Sequence, residues 1–333
     1  MEGTHSFKQL TTLRVGGDVA DVLRPTKKQE CVEIIKDFDA QEKNFLILGE
    51  GSNILAPDTP FDGAIVIPSF SDVIYEEVDS DTVRVVSDAG VRWDDLVLET
   101  VSQNLWGFEN LSAIPGTVGA APMQNIGAYG ADIAQTCEWA EVYDRKDKTI
   151  KKLTNTELQF EYRTSVLKKE RGRYIVLSVA FLLSKTPRPN ISYKDLHNSF
   201  NGSAPTLQDI REAVIRIRKG KFPSLTECGT AGSFFLNPIL NERAAPEFLE
   251  KYPNAPHFKT EEGVKIPLAW ILDNIINAKG MRVGGAFVWE KQPLVIATDN
   301  TATSEDVRTL MKQLQKKVFE KTNIQIVPEV YVL

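Results

Sequence analysis

Cysteine and histidine are scarce in this sequence, with three of each. Cys31, Cys137 and Cys228 form no C-x-x-C pair and are odd in number, which argues against a disulfide framework and points to a reducing, cytoplasmic compartment. His5, His197 and His257 lie far apart, so no zinc-ligand spacing exists and no metal is expected. No G-x-G-x-x-G and no G-x-x-x-x-G-K-[ST] occurs, which leaves a Rossmann dinucleotide site or a P-loop without support. Blocks of Lys and Arg are missing: 39 basic against 45 acidic side chains leave a net charge of −6, so nucleic acid is not an expected partner. The longest apolar run, YIVLSVAFLL at 174–183, is too short to span a bilayer and predicts a buried strand. The first residues contain no apolar h-region, so no signal peptide is expected, and no internal repeat or heptad array is visible.

What is present is a chain of 333 residues, 42% hydrophobic and 25% charged, the composition of a folded protein with two or three domains. Residues 25–43 predict a helix, capped by Thr26 with Gln29 closing a capping box, and with Val32, Ile35 and Phe38 on one face. Short strands are predicted at 44–53, 64–68, 81–90 and 137–145, and a helix at 91–104 with Trp93, Leu96, Val97 and Val101 inward. Residues 184–206 are rich in Pro, Asn and Ser and predict a linker or mobile loop. Helices follow from Thr206 and over 303–323, and IQIVPEVYVL predicts a closing strand. The mixture is α+β.

Several segments carry chemistry. GEGSN at 49–53 follows an apolar strand, and such a turn offers backbone N–H groups to a diphosphate, although the same composition also makes a plain turn. SAIPGTVGAAPMQNIGAYG at 112–130 is long, glycine-rich and uncharged, unlike a surface loop. It reads either as close strand packing or as a wall around a large flat cofactor. Ser233, in CGTAGSFFLNP, has no G-x-S-x-G context and no nearby histidine, which disfavours an acyl-enzyme nucleophile. A buried structural hydroxyl and a proton donor to carbon both remain open. Arg163 in EYRTSVLK could be solvated or pair bidentately with a carboxylate in a dry cleft. Glu329 stands in an apolar terminal stretch, where a carboxylate either faces water or has a function.

Taken in order, ILGEGSN, SAIPGTVGAAPMQNIGAYG, YRTS, GTAGSFFLNP, MRVGGAFV and PEV resemble the UDP-N-acetylenolpyruvoylglucosamine reductase family, in its longer-loop type I subclass. The resemblance runs from about Thr12 to the last residues. It implies an FAD-binding region of the vanillyl-alcohol-oxidase (PCMH) type over 12–187, in two subdomains split near 70. It further implies a mobile loop at 188–205, and a smaller α+β substrate domain over 206–333 whose last strand returns to the flavin. It implies FAD as cofactor and NADPH as co-substrate. The implied reaction reduces UDP-N-acetylglucosamine enolpyruvate to UDP-N-acetylmuramate, a precursor of bacterial cell-wall peptidoglycan. Gly49, Glu50, Gly51, Ser52 and Asn53 would hold the FAD diphosphate. Ile114, Pro115, Gly116, Thr117, Gly119, Gln124, Asn125, Gly127 and Ala128 would line the flavin. Ser233 would protonate the substrate carbanion, Arg163 would stabilise its charge, and Glu329 would polarise the substrate carboxylate. Tyr193, Lys221, Asn237, Tyr252 and Lys265 would bind substrate. Two positions depart from the pattern: Leu236 stands where a lysine is common, and Val327 where an acidic residue is frequent. A monomer touching neither nucleic acid nor membrane is expected. The alternatives are another FAD-dependent oxidoreductase of this fold, or a flavin- or nucleotide-sugar-binding protein without turnover.

Overall fold

The computed structural model describes residues 5–200 and 204–333. Its contacts divide the chain into two units, each assembled from separated segments. The larger holds Val19–Glu50 and Asp62–Arg218; the smaller holds Met1–Asp18, Gly51–Phe61 and Lys219–Leu333.

The larger unit is organised around the apolar run seen in the sequence. Tyr174–Ser184 is a strand buried along almost its whole length. Cys137–Asp144 and Thr82–Asp88 flank it antiparallel, and Thr149–Thr154 and Val73–Glu77 complete a five-stranded sheet. A second sheet pairs Phe45–Ile47 in parallel with Phe61–Val66. The helix Lys28–Ala40 buries Cys31, Val32, Ile35 and Phe38, as its periodicity predicts. Its start differs from the expectation. Lys27 is the N-cap and makes no side-chain cap; instead Glu30 accepts a hydrogen bond from the Thr26 amide at 2.8 Å, while Gln29 turns to Glu33. A charged acceptor in the first turn outcompetes a neutral amide for that N–H.

The helix Trp93–Ser102 buries Trp93, Leu96, Val97 and Val101. Trp93 packs on Phe108 at 4.9 Å, and Phe108 meets Phe181 edge-on at 5.0 Å. Trp93 Nε1 donates to Leu111 O at 3.0 Å, which ties this aromatic cluster to the residue just before the segment that follows. That segment, 112–130, has little regular structure: a short turn at Ala121–Met123 and the beginning of a two-residue hairpin, Gly127–Ala128 with Ala131–Asp132. Of the predicted mobile stretch 184–206, residues 201–203 lie outside the described residues; the remainder includes one short helix, Lys194–His197. The helix Leu207–Lys221 follows.

The smaller unit contains a four-stranded antiparallel sheet in the order Gly229–Ser233, Val295–Thr298, Ala286–Val288, Arg282–Val283. The helix Ser304–Thr322 lies on it and buries Val307, Leu310, Met311, Leu314 and Val318. A second sheet joins Ile239–Leu240, Gly263–Lys265 and Phe258–Thr260. The closing strand is shorter than predicted. Only Tyr331–Val332 is regular, paired in parallel with Ile54–Leu55, and the preceding residues run as an irregular ladder beside Phe235. Pro328 has no N–H to give such a ladder, which accounts for the interruption.

Candidate active site

In the larger unit the glycine-rich segment is pressed against its surroundings. A Cβ at Gly49 would lie 2.7 Å from Thr117 Oγ1, and one at Gly119 would lie 2.6 Å from the Ala89 Cβ and 3.1 Å from its backbone. Five residues of the segment have left-handed backbone: Ala113 (φ 57°), Gly116 (132°), Asn125 (45°), Tyr129 (51°) and Gly130 (86°). At the three non-glycine positions, Ala113, Asn125 and Tyr129, such conformations cost energy, persist only where the surroundings enforce them, and gather at functional sites.

The enforcement is visible. Trp93 N donates to Gly116 O, Val118 N to Val91 O and Gly119 N to Ala89 O, each at 2.9 Å. Glu50 accepts from Gly116 N at 2.6 Å and pairs with Arg92 at 2.7 Å. The side chain of Glu50, a residue of the turn expected to meet the diphosphate, is thus turned to the second glycine segment and braces it. Asn125 is 5% exposed; its amide donates to Glu161 O and its carbonyl accepts from Ala134 N. Thr117 is buried, Ile114 packs on the core, and Gly127 and Ala128 are half-buried in the hairpin. Pro115 and Gln124 belong to the same run, near its left-handed turns.

Arg163 joins this segment although 36 residues separate it from Gly127: its guanidinium donates to Gly127 O and, at 3.4 Å, to Asn125 O. Its own backbone is left-handed (φ 56°), and Lys168 donates to its carbonyl at 3.0 Å. Asp132 lies opposite Gly127 in the hairpin. Burial pushes its carboxyl above the ordinary range, against the pull of Arg163.

In the smaller unit Ser233 ends its strand after a bulge. Thr230 is opposite Ala297 but Ser233 is opposite Val295, so one extra residue is accommodated between them. Gly232 takes it up with φ 76°, and its N–H donates to Thr230 Oγ1 at 3.1 Å, while Thr230 itself donates to Ile296 O. A bulge of this kind re-aims the side chain that follows it. Beyond Ser233, Phe234 N donates to Leu294 O at 2.8 Å, and Phe234 O accepts from Glu329 N at 2.9 Å. Phe234 and Phe235 are both almost fully buried. Ser233 and Glu329, 96 positions apart by their numbers, thus fall on adjacent backbone segments, both half-buried. Asn53 of the GEGSN motif joins them: its side chain donates to Glu329 O at 3.3 Å and its carbonyl accepts from Tyr331 N at 3.0 Å. Gly51 sits where a Cβ would come within 2.2 Å of Leu10 O, and Ser52 lies between it and Asn53.

The predicted substrate residues are more dispersed. Tyr193 sets its ring edge-on to Tyr129, centroids 5.3 Å apart, in the larger unit. Lys221 ends the helix Leu207–Lys221. Asn237 accepts from Leu268 N at 2.8 Å, at the first residue of the helix Leu268–Asn274. Lys265 is opposite Ile239 and Phe258 in its sheet. Tyr252 donates to Lys321 O at 3.1 Å and lines a cleft of about 470 Å³ with Trp270, Lys251 and Lys321.

Sequence reasoning passed over Asp94, Arg211, Arg218 and Thr230. Arg211 is buried and clasps Asp94 through both terminal guanidinium nitrogens, at 2.6 and 3.0 Å. The 117 positions between them left no local pattern to read. Thr230 had a signal: a β-branched hydroxyl two residues before a glycine in a strand, the setting of a bulge.

Comparison with known proteins adds an independent line. Residues 19–154 match a model of the FAD binding domain, and residues 223–333 match the C-terminal domain of UDP-N-acetylenolpyruvoylglucosamine reductase. The reductase of that name from Yersinia pestis is 34% identical over 327 residues, covering 98% of this chain and 94% of the relative. That from Neisseria gonorrhoeae is 37% identical over 304 residues, covering 89% and 87%. The crystal structure of the Thermus caldophilus reductase superposes with a TM-score of 0.68 over 99% of this chain and 98% of that one, at 23% identity, which speaks to the fold. Among the described residues no helix is long and apolar enough to cross a membrane.

Proposed function

The chain belongs to the UDP-N-acetylenolpyruvoylglucosamine reductase family, and from that premise we propose that Ser233, Arg163 and Glu329 carry the polar half of its reaction. The protein is an FAD-dependent oxidoreductase that reduces the enolpyruvyl ether of UDP-N-acetylglucosamine to UDP-N-acetylmuramate for peptidoglycan synthesis, at the expense of NADPH. The segment 112–130 fits the cofactor: it is uncharged, tightly braced from behind, and free of bulky side chains where glycines meet Thr117 and Ala89. Residues 49–53 and 114–128 would hold it, through backbone groups and the side chains of Ser52, Asn53, Thr117, Gln124 and Asn125.

Held there and reduced by NADPH, the flavin would supply the hydride that the vinyl CH₂ of the substrate accepts; what remains for the protein is the negative charge developing on the carbon that bears the carboxylate. Ser233 then donates its hydroxyl proton to that carbon. Arg163, already oriented by the Gly127 and Asn125 carbonyls, stabilises the charge without having to reorganise as it develops. Glu329 engages the substrate carboxylate and raises its basicity or shares its proton. Tyr193, Lys221, Asn237, Tyr252 and Lys265 contact the nucleotide sugar, with Tyr193 covering its diphosphate. The carrying observation is that the bulge at Gly232 aims Ser233 while the next residue is hydrogen-bonded to Glu329. A cytoplasmic compartment is supported by the scarce, unpaired cysteines and the absence of a nucleic-acid partner by the acidic balance, and a monomer is proposed with them.

Rapid mixing of the two half-reactions tests the assignment. For Ser233→Ala, flavin reduction by NADPH stays near the parent rate, and reoxidation by the enolpyruvyl nucleotide sugar slows by roughly 10²–10⁴. Equal slowing of both halves would remove Ser233 as the proton donor.

A further inference from the structure

Ala113 is the one alanine among the described residues with left-handed backbone, and it stands near the start of the segment proposed to meet the flavin. Its two backbone polar groups are both captured by charged side chains. The amide donates to Asp94 Oδ1 at 2.6 Å, and the carbonyl accepts from Arg218 Nε at 3.1 Å. Asp94 stands in the first turn of the helix Trp93–Ser102, where the helix dipole favours an anion. Arg211 grips the same carboxylate bidentately, with 7% of its side chain exposed. Burial alone would push the Asp94 carboxyl up, but the bonds from Arg211 and the Ala113 amide, and the charges of Arg211 and Arg218, outweigh it and hold the group below its ordinary pKa. The carboxylate thus stays ionised and fixed, and a rigid acceptor holds an amide whose residue would otherwise leave the left-handed region. Nothing in the proton and hydride chemistry uses this triad.

We propose that Arg211 is a positioning residue for the bound flavin: acting through Asp94, it holds Ala113 left-handed and so fixes the course of residues 114–119. The inference rests on the reading that this segment lines the cofactor. Arg211 touches neither flavin nor substrate in this scheme, and its effect passes entirely through the Ala113 backbone.

The test uses FAD-stripped full-length protein titrated with FAD, read by flavin fluorescence, together with the visible circular dichroism of the reloaded protein and the melting temperature of both forms. Arg211→Met weakens FAD binding by about tenfold, equivalent to about 1.4 kcal/mol, and alters the flavin dichroism, while Arg211→Lys keeps most of both. Because glycine adopts left-handed backbone freely, Ala113→Gly in the Arg211→Met protein recovers most of the lost affinity and the parent dichroism. Unchanged affinity and dichroism in Arg211→Met overturn the proposal, even if the stripped protein melts lower. A loss that Ala113→Gly fails to recover overturns it as well. Should Arg211→Met fail to fold, Asp94→Asn with and without Ala113→Gly gives the same comparison. Gly119→Ala separates the two levels: if it weakens FAD while Arg211→Met does not, only the positioning role falls, and if neither does, the flavin segment itself has been misplaced.

Discussion

Replacing Gly232 by alanine asks how firmly the bulge before Ser233 is held. A Cβ there would meet nothing within 4 Å, so no collision contributes. The cost is conformational, about 1–2 kcal/mol for an L-residue kept at positive φ. The chain has two responses. It can keep the bulge and accept the strain, or relax to negative φ, which pulls the Gly232 amide off Thr230 Oγ1 and turns Ser233. Relaxation would disturb the bond from Gly232 to Thr230, that from Phe234 to Leu294, and that from Glu329 to Phe234. At roughly 0.5–1.5 kcal/mol each, these together exceed the strain, so the bulge stays. The expected result is a melting temperature lower by roughly 2–4 °C per kcal/mol, with reoxidation by the nucleotide sugar within about threefold of the parent. Gly232→Asn, a residue that tolerates left-handed backbone, should melt closer to the parent. An unchanged melting temperature with reoxidation slowed roughly tenfold or more would refute the reasoning, because the backbone would have relaxed by re-aiming the serine.

Two further outcomes follow from the larger unit. Gly119→Ala drives a methyl into Ala89, whose backbone cannot withdraw; a stability loss of about 1–3 kcal/mol and weaker FAD binding are expected, and Ala89→Gly should restore part of each in calorimetry and titration. Glu109 is 3% exposed, accepts from Gly107 N at 2.8 Å, and has its pKa raised by burial. The folded state therefore holds this proton more tightly than the unfolded chain, so the stability it contributes is complete at acid pH and is lost as pH climbs through the raised value. Glu109→Gln, which keeps an acceptor for Gly107, should unfold at higher denaturant than the parent at neutral pH, with the gap closing towards pH 4, near the ordinary glutamate range.

Elements with a strong period were readable from the sequence because burial imposes that period. The helices Trp93–Ser102 and Ser304–Thr322 bury the residues their spacing selects, and the uninterrupted apolar run became a strand covered on both faces. The start of Lys28–Ala40 misled because two acceptors stood one position apart, and the choice between Gln29 and Glu30 turns on charge, which a motif does not weigh. The terminal strand was over-extended because alternating apolar residues hide what Pro328 does to a ladder. At the site, composition marked the glycine-rich segment, and family resemblance supplied roles for Ser233, Arg163 and Glu329. The bracing around them was invisible: Asp94 with Arg211, or Gly127 with Arg163, are pairs made by folding, and no local window contains both members.

Asn53 holds the end of the chain by two bonds, one of them spanning 276 positions. Closing a loop of that size carries an entropic penalty that only the surrounding, already ordered backbone can offset. During refolding the sheet around Ser233 can therefore assemble before Asn53 docks on the stretch bearing Glu329, and recovery of turnover should lag behind recovery of secondary structure. The order in which the catalytic groups are read along the chain differs from the order in which folding makes them useful.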